Sequence, residues 1–189
     1  MKSTTLSTLP PTTIALGLAA LMAGTRFHDV GSALHLVDAS LAVFFLGGLY
    51  LRRNLAFGLF LAEAAVIDYV AVTLAGTSDY CVTPAYAFLL PTYAVMWFSG
   101  AAFAQRAEVS GRTLAALSAV LLASTLVAFG ISNGSFYAFS DYFPDMSWQQ
   151  YWSSTLKYLP SYVGSTVAYV ATAVSAHLFS RSGFGRAGA

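Results

Sequence analysis

The segment Thr77-Ser78-Asp79-Tyr80-Cys81-Val82-Thr83-Pro84 separates two long apolar runs, residues 54–76 and 85–104. Each run has the roughly 20 residues that an α-helix needs to cross the hydrocarbon of a bilayer. The break between them is short and polar, so it reads as a connection at one membrane surface. Spans of this kind are helical, because a helix satisfies all its backbone polar groups within itself. The fold class that follows is an all-α integral membrane protein.

Working outward, further apolar runs fall at about 12–27, 34–51, 113–131 and 158–180. The expectation is six transmembrane helices in a single domain, 1–189. Composition agrees: 57% of residues are hydrophobic and 9% charged, against about a quarter charged in soluble domains. A net charge of +1 with no Lys/Arg cluster excludes a phosphate-binding face for nucleic acid. The first run is the weakest, its apolar core being only Ile14 to Ala23. With Lys2 ahead of it, it resembles a signal peptide; it is read here as the first span. Pro10 and Pro11 suit a helix entrance, Pro160 suits the first turn of the sixth span, and Pro91 predicts a kink inside the fourth.

Cations set the orientation. With the N-terminus inside, Lys2, Arg52, Arg53, Arg106, Arg112, Arg181 and Arg186 are cytoplasmic, seven of the nine Lys and Arg. Arg26 and Lys157 fall outside, together with Asp29, Asp79, Asp141 and Asp145. Both termini are therefore expected in the cytoplasm. A five-span alternative would place Lys2 outside, against this bias. No internal repeat of useful length is visible, which argues against an inverted-repeat transporter. The chain has no phosphate-binding loop, so any ATP-driven step needs another subunit.

Ionisable groups inside spans are costly and need a reason. Asp38 and Asp68 lie in the outer parts of the second and third spans, and Glu63 lies deeper. His35 precedes Asp38 at i, i+3 and shares its face. His28 and Asp29 occupy the first outer loop, Cys81 the second, with Tyr86 just beyond. Metal-competent side chains thus gather at the outer end, while His177 belongs near the cytoplasmic end in an interfacial role.

Cys81 is the only cysteine, so it forms no internal disulfide. A thiolate is a soft donor suited to a transition metal, and coordination would itself drive its deprotonation. In the empty protein the neighbouring Asp79 opposes ionisation. With no second Cys and no close His pair, a tetrahedral zinc site is not expected. One sulfur offered to a metal with its own equatorial ligands fits better, and haem and corrin are both of that kind.

Between Phe136 and Trp152, eight of seventeen residues are aromatic. This is either an interfacial belt or a lid over a flat apolar ligand. On the first span Ala15, Ala19 and Ala23 recur at i, i+4 and i+8, with Ala20 and Gly24 beside them. Such a stripe admits another helix closely, from a partner or from within the bundle.

Together these features resemble the BtuM family, small membrane proteins related to the substrate-binding S-components of energy-coupling-factor vitamin transporters. The residues carrying the resemblance are Ala15-xxx-Ala19-xxx-Ala23, Arg26-Phe27-His28-Asp29, Asp68, and Asp79-Tyr80-Cys81-Val82-Thr83-Pro84-Ala85-Tyr86. The resemblance implies an S-component-like bundle in a bacterial inner (cytoplasmic) membrane, with vitamin B12 (cobalamin) as substrate. It implies Cys81 as axial ligand to the cobalt, with His28, Asp68 and Tyr86 lining the site and His28 a further candidate for the metal. It implies an outward-facing cavity, the aromatic segment 136–152 as lid, and the Ala15/Ala19/Ala23 stripe as docking face for a coupling subunit. The mechanism expected is base-off binding through Cys81 that promotes decyanation of cyanocobalamin, which leaves open whether the protein is also an enzyme. Two alternatives stand beside it: an S-component for another vitamin, and a small haem- or quinone-binding membrane protein using His28, His35 or His177.

Overall fold

The computed structural model describes residues 9–26, 37–104 and 110–184. Lys2, His28, Asp29, His35, Arg106 and Arg186 lie outside the described residues. Among those described there is no strand. The helices are α1 (Pro11–Arg26), α2 (Ser40–Tyr50), α3 (Asn54–Thr73), α4 (Leu89–Phe103), α5 (Gly111–Phe139), α6 (Trp148–Thr155) and α7 (Leu159–Phe184). Short 3-10 turns, Pro84–Phe88 and Leu156–Tyr158, lead into α4 and α7. Three helical stretches, Asn54–Thr73, Pro84–Phe103 and Gly111–Phe139, are long and apolar enough to cross a membrane. The chain is thus an all-helical protein with the character of a membrane protein.

Helix ends follow local chemistry. Pro11 opens α1 and Pro84 opens the first 3-10 turn, positions where a missing amide hydrogen costs nothing. Thr83 caps that turn by accepting from the Ala85 amide at 3.2 Å. Because α4 starts only at Leu89, Pro91 falls in its first turn. The interior kink expected from the unbroken run 85–104 therefore has no cause. At the end of α3, Gly76 adopts φ +68°, and the Thr77 amide folds back to the Ala71 carbonyl at 3.0 Å. This left-handed residue, natural to glycine, turns the chain into the Cys81 segment.

α2 is the axis of the bundle, packed against α1, α3, α4 and α7. Its contact with α4 is backbone to backbone. A methyl added to Gly48 would strike the Trp97 carbonyl, and one added to Gly100 would strike the Phe45 carbonyl. Glycine at both positions is what lets the two helices approach so closely. Around this contact Phe44 stacks on Tyr93 at 4.2 Å, and Trp97 packs between Phe57 and Phe60. Phe44, Phe45, Met96 and Trp97 are fully buried.

α3 lies at the edge, exposing Leu55, Leu59, Val66 and Tyr69 as a lipid-facing helix does. α1 turns Leu18, Met22 and Thr25 inward. Ala15 and Ala19 flank that face and pack against the core, whereas Ala23 is exposed. The small residues expected to form one external stripe are therefore divided between two environments. α5 runs on to Phe139, so Phe136, Tyr137 and Phe139 belong to its last turns and not to a loop.

Candidate functional site: a polar-floored cavity beside Cys81

The C-terminal ends of α1, α3 and α5 and the N-terminal ends of α2 and α7 meet at one end of the bundle. They enclose a cavity of about 740 Å³. Its apolar walls include Val72, Val82, Leu89, Ala128 and Phe136, and its polar groups include Arg26, Asp38, Ser40, Asp68, Tyr86 and Tyr93. Cys81 and Tyr80 stand in its lining, with Ser132 and Asn133 of α5 and Tyr162 of α7.

Arg26 organises the floor. Its Nε donates to Asp68 Oδ1 at 2.7 Å and its Nη2 to Asp68 Oδ2 at 2.6 Å, a bidentate pair between α1 and α3. Its Nη1 donates to Ser40 Oγ at 2.9 Å and to the Tyr93 hydroxyl at 2.7 Å. Only 10% of its side chain is exposed. A guanidinium suits this position because its planar fork matches a carboxylate edge-on while a third nitrogen reaches elsewhere.

The surrounding groups lock this geometry. Tyr86 donates its hydroxyl to Asp68 Oδ2 at 2.7 Å, so the carboxylate accepts three hydrogen bonds. Ser40 donates its hydroxyl to Asp38 Oδ1 at 2.6 Å, and its backbone amide donates to the same oxygen at 2.9 Å. Thr25 Oγ1 accepts from the Ala39 amide at 3.1 Å and donates to the Leu21 carbonyl at 2.8 Å. The end of α1 is thereby tied to the start of α2, the place where the polar floor forms.

Cys81 is exposed and lies in the cavity lining. The protein around it pushes its thiol above the ordinary range, and the Asp68 carboxylate adds to this while Arg26 works against it. The anion acting on the thiol is thus Asp68, which the fold brings near, and not the sequence neighbour Asp79. A protonated thiol beside a polar floor is a latent soft donor. It acts when a metal arrives to replace its proton.

The residues singled out by sequence sort clearly. Asp68, Tyr86 and Cys81 line one cavity, as does Asp38, which sits just ahead of α2 and not within it. His28 and His35 lie outside the described residues. Glu63 and His177 are not part of the lining. Among the described residues no three His, Cys, Asp or Glu gather into a group able to hold a metal ion on their own. Of the eight aromatic residues in 136–152, Phe136 alone lines the cavity. The rest pack largely on one another, with Phe143 against Tyr137 and Tyr151. Besides Phe136, whose ring lies 5.3 Å from that of Tyr80, the segment reaches the site through Tyr142, whose ring stacks on Tyr80 at 4.4 Å.

Sequence reasoning missed Arg26 as a site residue, having counted it as a loop cation. It also missed Ser40, Tyr93, Ser132, Asn133 and Tyr162. Arg26 could have been found from Asp68, since an acid in an apolar helix calls for a cation and the sequence led us to expect only Arg26 and Lys157 on that side. The others carry no such signal, because Ser, Asn and Tyr are ordinary residues in membrane helices. No protein-family model matches the chain, and no curated protein matches it significantly.

Proposed function

We propose that this chain is a six-span protein of the bacterial cytoplasmic membrane that takes up cobalamin from the outer face. In this reading both termini are cytoplasmic, the bundle is of the S-component type, and Cys81 is an axial ligand to the substrate's cobalt. The observation that carries the reading is the placement of a single protonated thiol in the lining of a cavity that also holds Asp68 and Tyr86. A lone protein sulfur can make one bond to a metal but cannot build a site. We therefore read its partner as a metal that brings its own equatorial ligands. A volume of about 740 Å³ is in the upper part of the range for small-molecule sites, room for a macrocycle with its periphery in solvent.

The chemistry balances without a reductant. The Cys81 thiolate replaces the benzimidazole on one face of cobalt, leaving the vitamin base-off. Trans to the cyanide, it donates electron density and weakens the cobalt–carbon bond. Cyanide leaves with the bonding pair, takes up the proton given up by the thiol, and departs as hydrogen cyanide. Cobalt remains in the +3 state throughout. In this reading Asp68 or His28 assists the departure by taking up and passing on that proton. A separate coupling subunit docking on α1 would complete the transport system.

The test is an ultraviolet–visible spectrum of detergent-purified protein given cyanocobalamin, with Cys81→Ala beside the wild type. The expected result is a shifted corrin spectrum in the wild type, absent in the variant. A spectrum that Cys81→Ala leaves unchanged rules out cobalt–thiolate ligation.

A further inference from the structure

The cavity's described lining carries three charged side chains, Arg26, Asp38 and Asp68, one cation against two anions. The cation is not available to a ligand. Four of its N–H groups are committed to Asp68, Ser40 and Tyr93, and its side chain is 10% exposed. Asp38 is different: its side chain is 49% exposed, and its Oδ2 lies 3.6 Å from Arg26 Nη1, beyond hydrogen-bond distance. Lys157, the other cation expected at this end, lies over the Tyr158 ring at 5.0 Å and is not in the lining.

We propose that the cavity is a charge filter that accepts neutral or cationic ligands and rejects anionic ones, with Asp38 as the residue that sets this specificity. Asp68 is satisfied by Arg26 and Tyr86, so the pair is close to neutral toward the outside. Asp38 supplies the remaining negative charge, facing the space a ligand would fill. Low-dielectric walls focus that field into the cavity. Ligands of net negative charge, such as haem with its two propionates or a vitamin phosphate monoester, meet repulsion and find no free cation among the described lining residues. Cyanocobalamin is neutral, its phosphodiester balanced by the charge of the cobalt–corrin centre, and the amides around its ring meet acceptors that match their N–H donors.

The inference rests on the cobalamin reading and is tested together with it. The probes are cyanocobalamin and its monocarboxylate, in which one peripheral amide has become an acid. Binding to the full-length protein in detergent is measured at pH 7.5 in low and high salt, for wild type and Asp38→Asn. Asparagine keeps the oxygen that accepts from Ser40, so the variant retains the local fold.

The wild type is expected to bind the monocarboxylate on the order of tenfold more weakly. High salt and Asp38→Asn should each narrow that ratio toward unity. Equal affinity of the wild type for both corrins overturns the filter and leaves the cobalamin reading standing. A ratio unchanged in Asp38→Asn assigns the loss to the missing amide donor, which also overturns it. Binding of neither corrin overturns both.

Discussion

Arg26 at the last turn of α1 and Asp68 near the end of α3 are joined by two parallel hydrogen bonds of 2.7 and 2.6 Å. Neither charge makes sense alone at this depth, and each explains the other. In the proposed orientation Arg26 departs from the inside bias of the cations, and its role as counter-ion to Asp68 accounts for that. Asp68 is tolerated in an apolar helix because its negative charge is matched.

Breaking this pair strands a charge away from water, which typically costs about 3–5 kcal/mol. Arg26→Ala and Asp68→Ala are each expected to lower the Tm of the detergent-solubilised protein by on the order of 10 °C. Replacing both with apolar residues, Arg26→Met with Asp68→Leu, is expected to recover part of that loss. A single variant that unfolds at the wild-type temperature would show that the pair does not hold α1 to α3.

The contact of α2 with α4 makes a separate prediction. Gly48→Ala and Gly100→Ala place a methyl against a backbone carbonyl, and a carbonyl cannot rotate aside as a side chain does. Each should destabilise by about 1–3 kcal/mol, read as a lower Tm and a broader size-exclusion profile. Gly58→Ala is the control, because a methyl there meets nothing within 4 Å. It should behave as the wild type does.

How far the sequence could be read follows from where the signals lie. The helical class was legible from run length alone, Asp68 from an acid placed where charge is expensive, and Cys81 and Tyr86 from their places in and just beyond the polar break between two apolar runs. The start of α4 was not, because a 3-10 turn and an α-helix share one apolar run and Pro91 only looks interior. The run 34–51 was likewise longer than α2, which begins at Ser40 once Asp38 and Thr25 have tied down the chain. Arg26 was hidden by its position at a span boundary, where inward and outward side chains look alike. Its direction is decided by Asp68, 42 residues away, and no local pattern records that.

Cys81 links binding to pH. Its thiol is raised by the surrounding protein and by Asp68, so it is protonated in neutral solution. Each cobalt–sulfur bond formed therefore releases one proton. Affinity for methylcobalamin, which has no cyanide to carry that proton away, should rise with pH, by about tenfold per unit below the thiol pKa. Titrations between pH 6 and 8 would check this, with Cys81→Ala expected to show a flat profile. A wild-type affinity independent of pH would mean that no thiol proton is displaced.

Because Cys81 is the only cysteine and is exposed, it also reports sidedness. A membrane-impermeant maleimide at pH 8 should label the protein in intact spheroplasts without permeabilisation. Saturating cobalamin should protect it. Labelling that appears only after the membrane is opened would invert the proposed orientation and place both termini outside.

The face of α1 decides how the protein meets a coupling subunit. Ala15 and Ala19 pack partly against the core, whereas Leu16, Ala20 and Ala23 form an exposed row at i, i+4 and i+7. A bulky residue at Ala19 therefore presses on the protein's own interior as well as on any partner, and its effects are mixed. Ala23→Leu and Gly17→Leu avoid this, the latter because nothing lies within 4 Å of an added methyl. If a partner helix docks on α1, both should abolish cobalamin uptake by cells while the purified protein keeps wild-type affinity and Tm. Ala19→Leu should lower Tm as well as uptake. If Ala23→Leu and Gly17→Leu leave uptake intact, the exposed row faces lipid, and the small residues of α1 serve only the packing of the bundle.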